Sequence, residues 1–350
     1  MPPLKLIFCG TPAFALPTLR ELLAHPEFKV EAVVTQPDRP RGRGKELASS
    51  PVKDAATAAG IPIYQPQKIR AEESYEFFRT AAPDVVVIIA YGQIIPARLI
   101  AIPRLGWINL HGSLLPKFRG AAPIHWAIAS GKTRTGLTTM QIDAGLDTGP
   151  LLLKHETEIA PDETAPQLYA RLAAAGAPLM SETLRALDRG TITPTPQDNS
   201  QATLAPPLKK EDGRINWSLP AQEIYNRIRG FQPWPGAFTT FRGKQCAIWG
   251  KPAPDHSVPT QTTAGAGAGA GLEPATPDQS AITGATVGAG PATAGPAPAT
   301  INVSACEINV ACGEDTTLHL ESAQLEGRNK ISAREFANGA RLAPGERFGS

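Results

Sequence analysis

Cysteine is scarce in this chain: Cys9, Cys246, Cys306 and Cys312 form no CxxC pair. That excludes a dense disulfide framework and a paired-thiolate metal site, and fits reduced cytosolic thiols. No apolar run approaches the length that crosses a bilayer. The opening Met-Pro-Pro-Leu-Lys-Leu-Ile-Phe lacks a charged segment followed by a long apolar one, so a cytoplasmic protein without a membrane partner is expected. Charge of either sign is nearly balanced, at a formal +2. A nucleic-acid partner therefore has to be argued from local clusters.

Several catalytic signatures are also missing. Gly10-Thr-Pro-Ala-Phe14 follows the first apolar run where a dinucleotide site needs GxGxxG, and no GxxxxGK[ST] phosphate loop occurs. Ser113 lies outside any GxSxG elbow, which argues against a serine hydrolase. The six histidines show no HExxH spacing, so no metal is expected.

What is present is a regular alternation. LKLIFC (4–9) ends at a glycine and leads into LPTLRELLA, whose apolar spacing is helical. KVEAVVTQ (29–36), IPIYQ (61–65), DVVVIIAYG (84–92) and GWINLHG (106–112) then alternate with helix-like SPVKDAATAAG and SYEFFRTAA. Near-continuous Val and Ile are what strands buried on both faces require. The pattern predicts a Rossmann-like, doubly wound α/β domain with a mostly parallel sheet.

TGLTTMQI (135–142) and PLLLKHETEI (150–159) add two strands around an Asp143 to Gly149 turn, and a long helix closes the domain near Gly190. With 350 residues, the chain has room for a second domain. Residues 191–208, rich in Pro, Thr and Gln, read as an extended crossing linker. From 209 to 350 the short strands GAFTTF, QCAIW, EINVAC and TTLHLESAQL predict a small β-barrel. Between 252 and 300, AGAGAGAG and GPAPAT stretches carry no aromatic residue, Lys or Arg. Such composition buries too little to offset the entropy of ordering, so a disordered surface insertion is expected there.

Asn109, His111 and Asp147 stand out chemically. Strand side chains alternate, so Asn109 and His111 point to one face at the end of the fifth predicted strand. In doubly wound sheets that carboxyl end is where ligands bind. An amide donor suits a developing oxyanion, and an imidazole is the side chain that changes charge near neutrality. Asp147, between Gly145 and Gly149, is suited to orient His111 and to accept a proton relayed through water. Together they describe acyl transfer without a protein nucleophile. Taken singly, a strand-end His and an Asp in a glycine-flanked turn each have an ordinary structural reading; their combination with Ser113-Leu-Leu-Pro116 is what points to a site.

SLLPKFRGAAPIHWAI and MQIDAGLDTG, just after Asn109 and His111, resemble the folate-dependent formyltransferase family, most closely its members that formylate methionyl-tRNA. GTPAFALPTL, TQPDRPRGRGKEL, SPVK, AYGQIIP, KEDGRINW, PWPGAF and LEGRNKISAREFANGARL match in the same order, covering nearly everything but the insertion. The resemblance implies that 10-formyltetrahydrofolate, as cosubstrate, gives its formyl group to the methionine α-amino group of initiator methionyl-tRNA. It also implies that Asn109, His111 and Asp147 are the catalytic residues, that Ser113, Leu114, Leu115 and Pro116 contact folate, that the barrel is OB-like, and that the protein is a monomer.

The charge clusters fit an RNA partner. Arg39, Arg41, Arg43 and Lys45, opposed by Asp38, sit on a Pro/Gly-rich loop able to neutralise phosphates. From Lys209 and Lys210 to Lys251 there are eight basic residues against three acids, with Trp217, Phe231, Trp234, Phe238, Phe241 and Trp249 interleaved, most of them expected in the barrel core. Two alternatives stay open: a folate formyltransferase acting on a small amine, such as a nucleotide sugar or glycinamide ribonucleotide, and a catalytically silent RNA-binding module. The basic loop and barrel argue against the first, and the intact trio against the second.

Overall fold

A computed structural model of the chain describes residues 2–41, 46–254, 296–304, 307–343 and 345–349. Arg43, Lys45, Cys306 and most of the 252–300 segment expected to be an insertion lie outside the described residues. The chain packs as two units, Met1–Ile215 with Glu223–Thr239, and Asn216–Gln222 with Thr240–Ser350.

In the first unit the strands are β1 (Leu4–Gly10), β2 (Phe28–Val34), β3 (Arg39–Arg41), β4 (Glu46–Ala48), β5 (Ile63–Tyr64), β6 (Val85–Ile89), β7 (Trp107–His111), β8 (Arg134–Gln141) and β9 (Leu151–Glu158). Seven of them form one sheet in the order β5-β2-β1-β6-β7-β8-β9. The pairings from β5 through β7 are parallel, while β8 and β9 add an antiparallel edge. The sheet grows outward from β1 to β5, then crosses back to lay β6 on the other side of β1. That reversal is a topological switch point, where strand ends leave a crevice.

Alternation along the strands feeds two cores. Leu4, Leu6 and Phe8 of β1, with Val85, Val87 and Ile89 of β6, enter one core. Ile7 and Cys9, with Val86 and Ile88, enter the other. The first core is covered by α1 (Leu16–Ala24), α2 (Pro51–Ala58), α5 (Pro123–Ala129) and α6 (Ala165–Asp188); the second by α3 (Glu72–Ala81) and α4 (Ala97–Ile100). At the start of α6 the Gln167 side chain accepts from the Thr164 N–H at 2.9 Å, satisfying a donor at the helix entry. Further along, a Cβ added to Gly176 would stand 2.4 Å from Leu110 Cδ2, so glycine lets α6 lie close against β7. This contact supports the strand that carries Asn109 and His111.

Two segments differ from the sequence expectation. The basic loop is an antiparallel ribbon, β3 pairing with β4 through Arg39 with Ala48 and Pro40 with Leu47. Residues 191–208 are laid along the first unit, with bridges from Thr195 to Leu151 and from Leu204 to Arg119. Their composition carries no side-chain period, yet their backbone groups find partners there.

The second unit holds β11 (Lys244–Pro252), β12 (Ile301–Val303), β13 (Ile308–Ala311), β14 (Thr317–Leu325), β15 (Ile331–Ser332) and α8 (Ala333–Ala340), while β10 (Phe238–Phe241) and α7 (Ala221–Gly230) straddle the division. The strands run β10-β11-β14-β13-β12, with β15 also on β14. The chain's last residues tie the two outer strands: Ile301 N–H donates to Glu346 O at 2.7 Å, Phe348 N–H to Ala299 O at 3.0 Å and Gly349 N–H to Thr240 O at 2.8 Å. Inside, Phe348 stacks on Trp217 with ring centroids 5.5 Å apart and meets Phe241 edge-on at 5.8 Å. Of the other interleaved aromatics, Phe231 belongs to the first unit, where it packs against Trp126, and Trp234 is exposed.

Candidate active site

Strand β7 delivers the site. Trp107 turns into the second core beside Phe78, and two and four residues later Asn109 and His111 emerge on the same side at the carboxyl end. They are 8% and 5% exposed, so both polar groups are held largely out of water. Antiparallel pairing with β8 sets Asn109 against Met140 and His111 against Thr138, which fixes their height along the sheet.

The imidazole has a defined orientation. His111 Nε2 lies 2.9 Å from the backbone oxygen of Phe118. A carbonyl only accepts, so Nε2 carries the hydrogen and Nδ1 is the nitrogen turned to the site. Nδ1 faces Asp147 Oδ2 at 3.6 Å, longer than a hydrogen bond but within ion-pair reach. The same carboxylate oxygen accepts from the Gly120 N–H at 2.8 Å. Asp147 itself has φ +52°, the left-handed region that a short polar side chain tolerates better than most. The neighbouring Asp143 is occupied: both its oxygens accept from Thr148 Oγ1, at 2.7 and 2.9 Å.

These groups line a cavity of about 510 Å³. Asn109, His111 and Asp147 are among its polar lining residues, and Ile88, Ile94, Ile142 and Leu146 among its apolar ones. Ile94 and Leu146 are largely exposed there, although large apolar side chains usually seek burial. A second cavity of about 660 Å³, reaching Gln36 and Arg39, shares Tyr91, Gly92 and Tyr169 with the first. Burial pushes the hydroxyls of Tyr91 and Tyr169 up, so both remain phenols at neutral pH. An amide donor beside an imidazole–carboxylate pair, in a cavity with apolar residues in its lining, suits stabilisation of an oxyanion and transfer of one proton.

The structure brings Asn109, His111 and Asp147 together. The Ser113–Pro116 segment, expected to contact folate, lines neither cavity. Ser113 is buried and its Oγ donates to Lys117 O at 2.6 Å, while Leu115 packs with Met140 and Leu151. These residues shape the turn that carries the chain to Phe118 and Gly120. Arg39 is exposed on β3 and lines the second cavity, Arg41 ends the same strand, and Arg43 and Lys45 lie outside the described residues. Lys209 and Lys210 are exposed at the start of a short 3-10 turn. Sequence reasoning missed the Ala90–Ile95 loop and Leu146. The signal was available, since AYGQIIP directly follows the strand beside β7, where carboxyl-end loops build sites.

Comparison with known proteins agrees with this geometry. Residues 4–184 match the formyl transferase family and residues 207–341 the formyl transferase C-terminal domain. A methionyl-tRNA formyltransferase of Solibacter usitatus is 50% identical over 346 residues, covering 99% of each chain. One of Acidobacterium capsulatum is 45% identical, covering 99% of this chain and all of its own. Among solved structures, WlaRD, a sugar 3N-formyl transferase crystallised in the presence of dTDP and 5-N-formyl-THF, superposes with a TM-score of 0.59 at 16% identity, covering 93% of this chain and 99% of that one. That likeness concerns the fold. With both domains matched in order and half its residues shared over nearly its full length, the chain belongs to the methionyl-tRNA formyltransferase family.

Proposed function

We infer that this protein transfers the formyl group of 10-formyltetrahydrofolate to the α-amino group of methionine on initiator methionyl-tRNA, giving N-formylmethionyl-tRNA. The observation that carries the reading is the gathering of Asn109, His111 and Asp147 on a cavity that Ile88, Ile94, Ile142 and Leu146 also line, in a chain 50% identical to a relative of that name. The apolar lining residues Ile94, Ile142 and Leu146 suit a flat heteroaromatic ring, and the trio suits the reacting end.

The bound donor supplies an activated formyl carbon on nitrogen. The free amine forms a new C–N bond there, the original C–N bond breaks, and one proton passes from the incoming to the departing nitrogen. Asn109 donates its amide hydrogen to the oxygen that becomes anionic, and His111 in its protonated form, Nε2–H staying on Phe118 O, donates from Nδ1 to the same charge. Asp147 holds the Nδ1 side of the imidazole and takes part in moving the proton, directly or through water.

We assign the acceptor's RNA to the basic ribbon at Arg39 and Arg41, continued by Arg43 and Lys45, to Lys209 and Lys210, and to the second unit. A substrate of this size gives each of these surfaces a use; a small amine would need none of them. A cytoplasmic location suits an enzyme whose acceptor is an aminoacylated tRNA.

The test is a formyl-transfer assay with 10-formyltetrahydrofolate that compares initiator methionyl-tRNA, elongator methionyl-tRNA and an amino sugar nucleotide. Formylation of the initiator above the other two is expected. Transfer to the sugar alone would overturn the reading.

A further inference from the structure

Phe118, Arg119 and Gly120 form a tripeptide that touches both members of the proton-handling pair. The Phe118 carbonyl accepts from His111 Nε2 at 2.9 Å, and the Gly120 N–H donates to Asp147 Oδ2 at 2.8 Å. The residue between them, Arg119, is buried and turns its guanidinium away from the cavity. It donates from Nε and Nη2 to Gln197 Oε1 at 3.1 and 2.7 Å, and from Nη2 to Asn199 Oδ1 at 2.8 Å.

Gln197 completes a ring of contacts. Its Nε2 donates to the backbone oxygens of Asp147 at 2.9 Å and Gly149 at 2.8 Å. Asp147 is thus tied to one tripeptide twice, by its carboxylate through Gly120 and by its carbonyl through Gln197 and Arg119. The tripeptide in turn is fixed to residues 203–205: Arg119 N–H donates to Thr203 O at 2.8 Å, Ala205 N–H to Arg119 O at 2.7 Å, and Phe118 N–H to Thr203 Oγ1 at 2.8 Å. The fit is close, because a Cβ on Gly120, at φ +117°, would stand 2.7 Å from Ala205 O.

We propose that Gln197, locked by Arg119, is a positioning residue that sets the distance between Asp147 and His111, and that the segment 195–205 is a brace of the active site. Neither residue meets the reacting atoms; both act on the left-handed Asp147 turn, a conformation that persists only where its surroundings hold it. The inference rests on the catalytic reading of the trio given above. It makes a Pro/Thr/Gln-rich stretch of the first unit part of the catalytic apparatus.

Gln197→Glu tests it. The variant keeps an acceptor for Arg119 but presents no donor to the carbonyls of Asp147 and Gly149, so the turn is released while the buried guanidinium stays paired. Turnover is expected to fall by roughly 10- to 100-fold, the scale of a misplacement near 1 Å, with the KM for the formyl donor unchanged. In an Asp147→Asn background the same change is expected to add no further loss, because both act on one group. Additive losses, or a loss confined to KM, would overturn the proposal. If the glutamate variant does not fold, Gln197→Met, which removes both donors without adding charge, serves in the same cycle.

A second readout is independent of activity. Amide hydrogen exchange at Gly120, whose N–H donates to Asp147, is expected to speed up in the variant. Unchanged protection would refute the brace. A wild-type chain that transfers no formyl group, with Gly120 exchange still responding to Gln197→Glu, would instead refute the functional reading and leave the brace standing.

Discussion

His111 Nδ1 and Asp147 Oδ2 face each other across 3.6 Å, and the two are aligned through one tripeptide, which accepts from His111 with Phe118 O and donates to Asp147 with Gly120 N–H. The pair is therefore oriented by backbone groups of a single tripeptide. Backbone contacts of this kind do not depend on substrate, so the geometry is in place before either substrate binds.

Replacing His111 by Ala removes the imidazole but leaves the strand's pairing with β8 intact. Turnover is expected to fall by about 10² to 10⁴, the usual contribution of a positioned acid–base group. Circular dichroism should still report the wild-type fold. The check is a formyl-transfer assay on that folded variant, and turnover at the wild-type rate would contradict the assignment.

Arg39 tests the proposed RNA surface. Its Nη2 reaches only Gln36 Oε1, at 3.4 Å, among the contacts described. Asp38, which the sequence sets against the loop's positive charge, is taken up by Lys53 at 2.5 Å and by Gln65, and the Lys53 hydrogen bond holds its carboxyl below the usual range. The ribbon thus keeps more of its positive charge for phosphates than the sequence count suggests. Arg39→Ala is expected to raise the KM for charged tRNA without changing that for the folate, and to lower the log–log salt slope of tRNA binding by about one. Arg43→Ala should behave alike. Equal weakening of both substrates would argue against an RNA-reading ribbon.

The parts of the fold that were legible are those in which one segment carries its own signal. Strands β1, β6 and β7 are buried on both faces, so their Val, Ile and Leu content announces them, and alternation alone puts Asn109 and His111 on one side. What escaped depends on partners distant in the chain. Gln197 owes its role to Asp147 and Arg119, and the β3–β4 ribbon to a pairing that Arg, Pro and Gly do not advertise. Ser113 to Pro116 shows a different limit: side-chain direction in an irregular turn is set by local backbone angles and hydrogen bonds such as Ser113 Oγ to Lys117 O, which no period in the sequence announces. Phe231, one of the interleaved aromatics, follows helix α7 and packs against Trp126, a partner about a hundred residues earlier in the chain that no local pattern reveals.

Glu346 offers a test of how the second unit is closed. Its backbone oxygen accepts from Ile301, and its carboxylate takes a two-pronged hydrogen bond from Arg242, Nε to Oε1 at 2.6 Å and Nη2 to Oε2 at 3.0 Å. The Arg242 guanidinium holds this carboxyl below its ordinary value of 4.5. A carboxylate depressed in the folded state stabilises it above the unfolded value, and the contribution is lost as pH falls through the folded one. At pH 7 Glu346→Gln should therefore melt below the wild type. Below about 4.5 the gap should narrow as the wild-type carboxylate takes up a proton and comes to resemble the amide. Thermal melts of both proteins between pH 7 and pH 3 make the comparison, and a gap that stays constant across that range would show that the ion pair does not hold the tail.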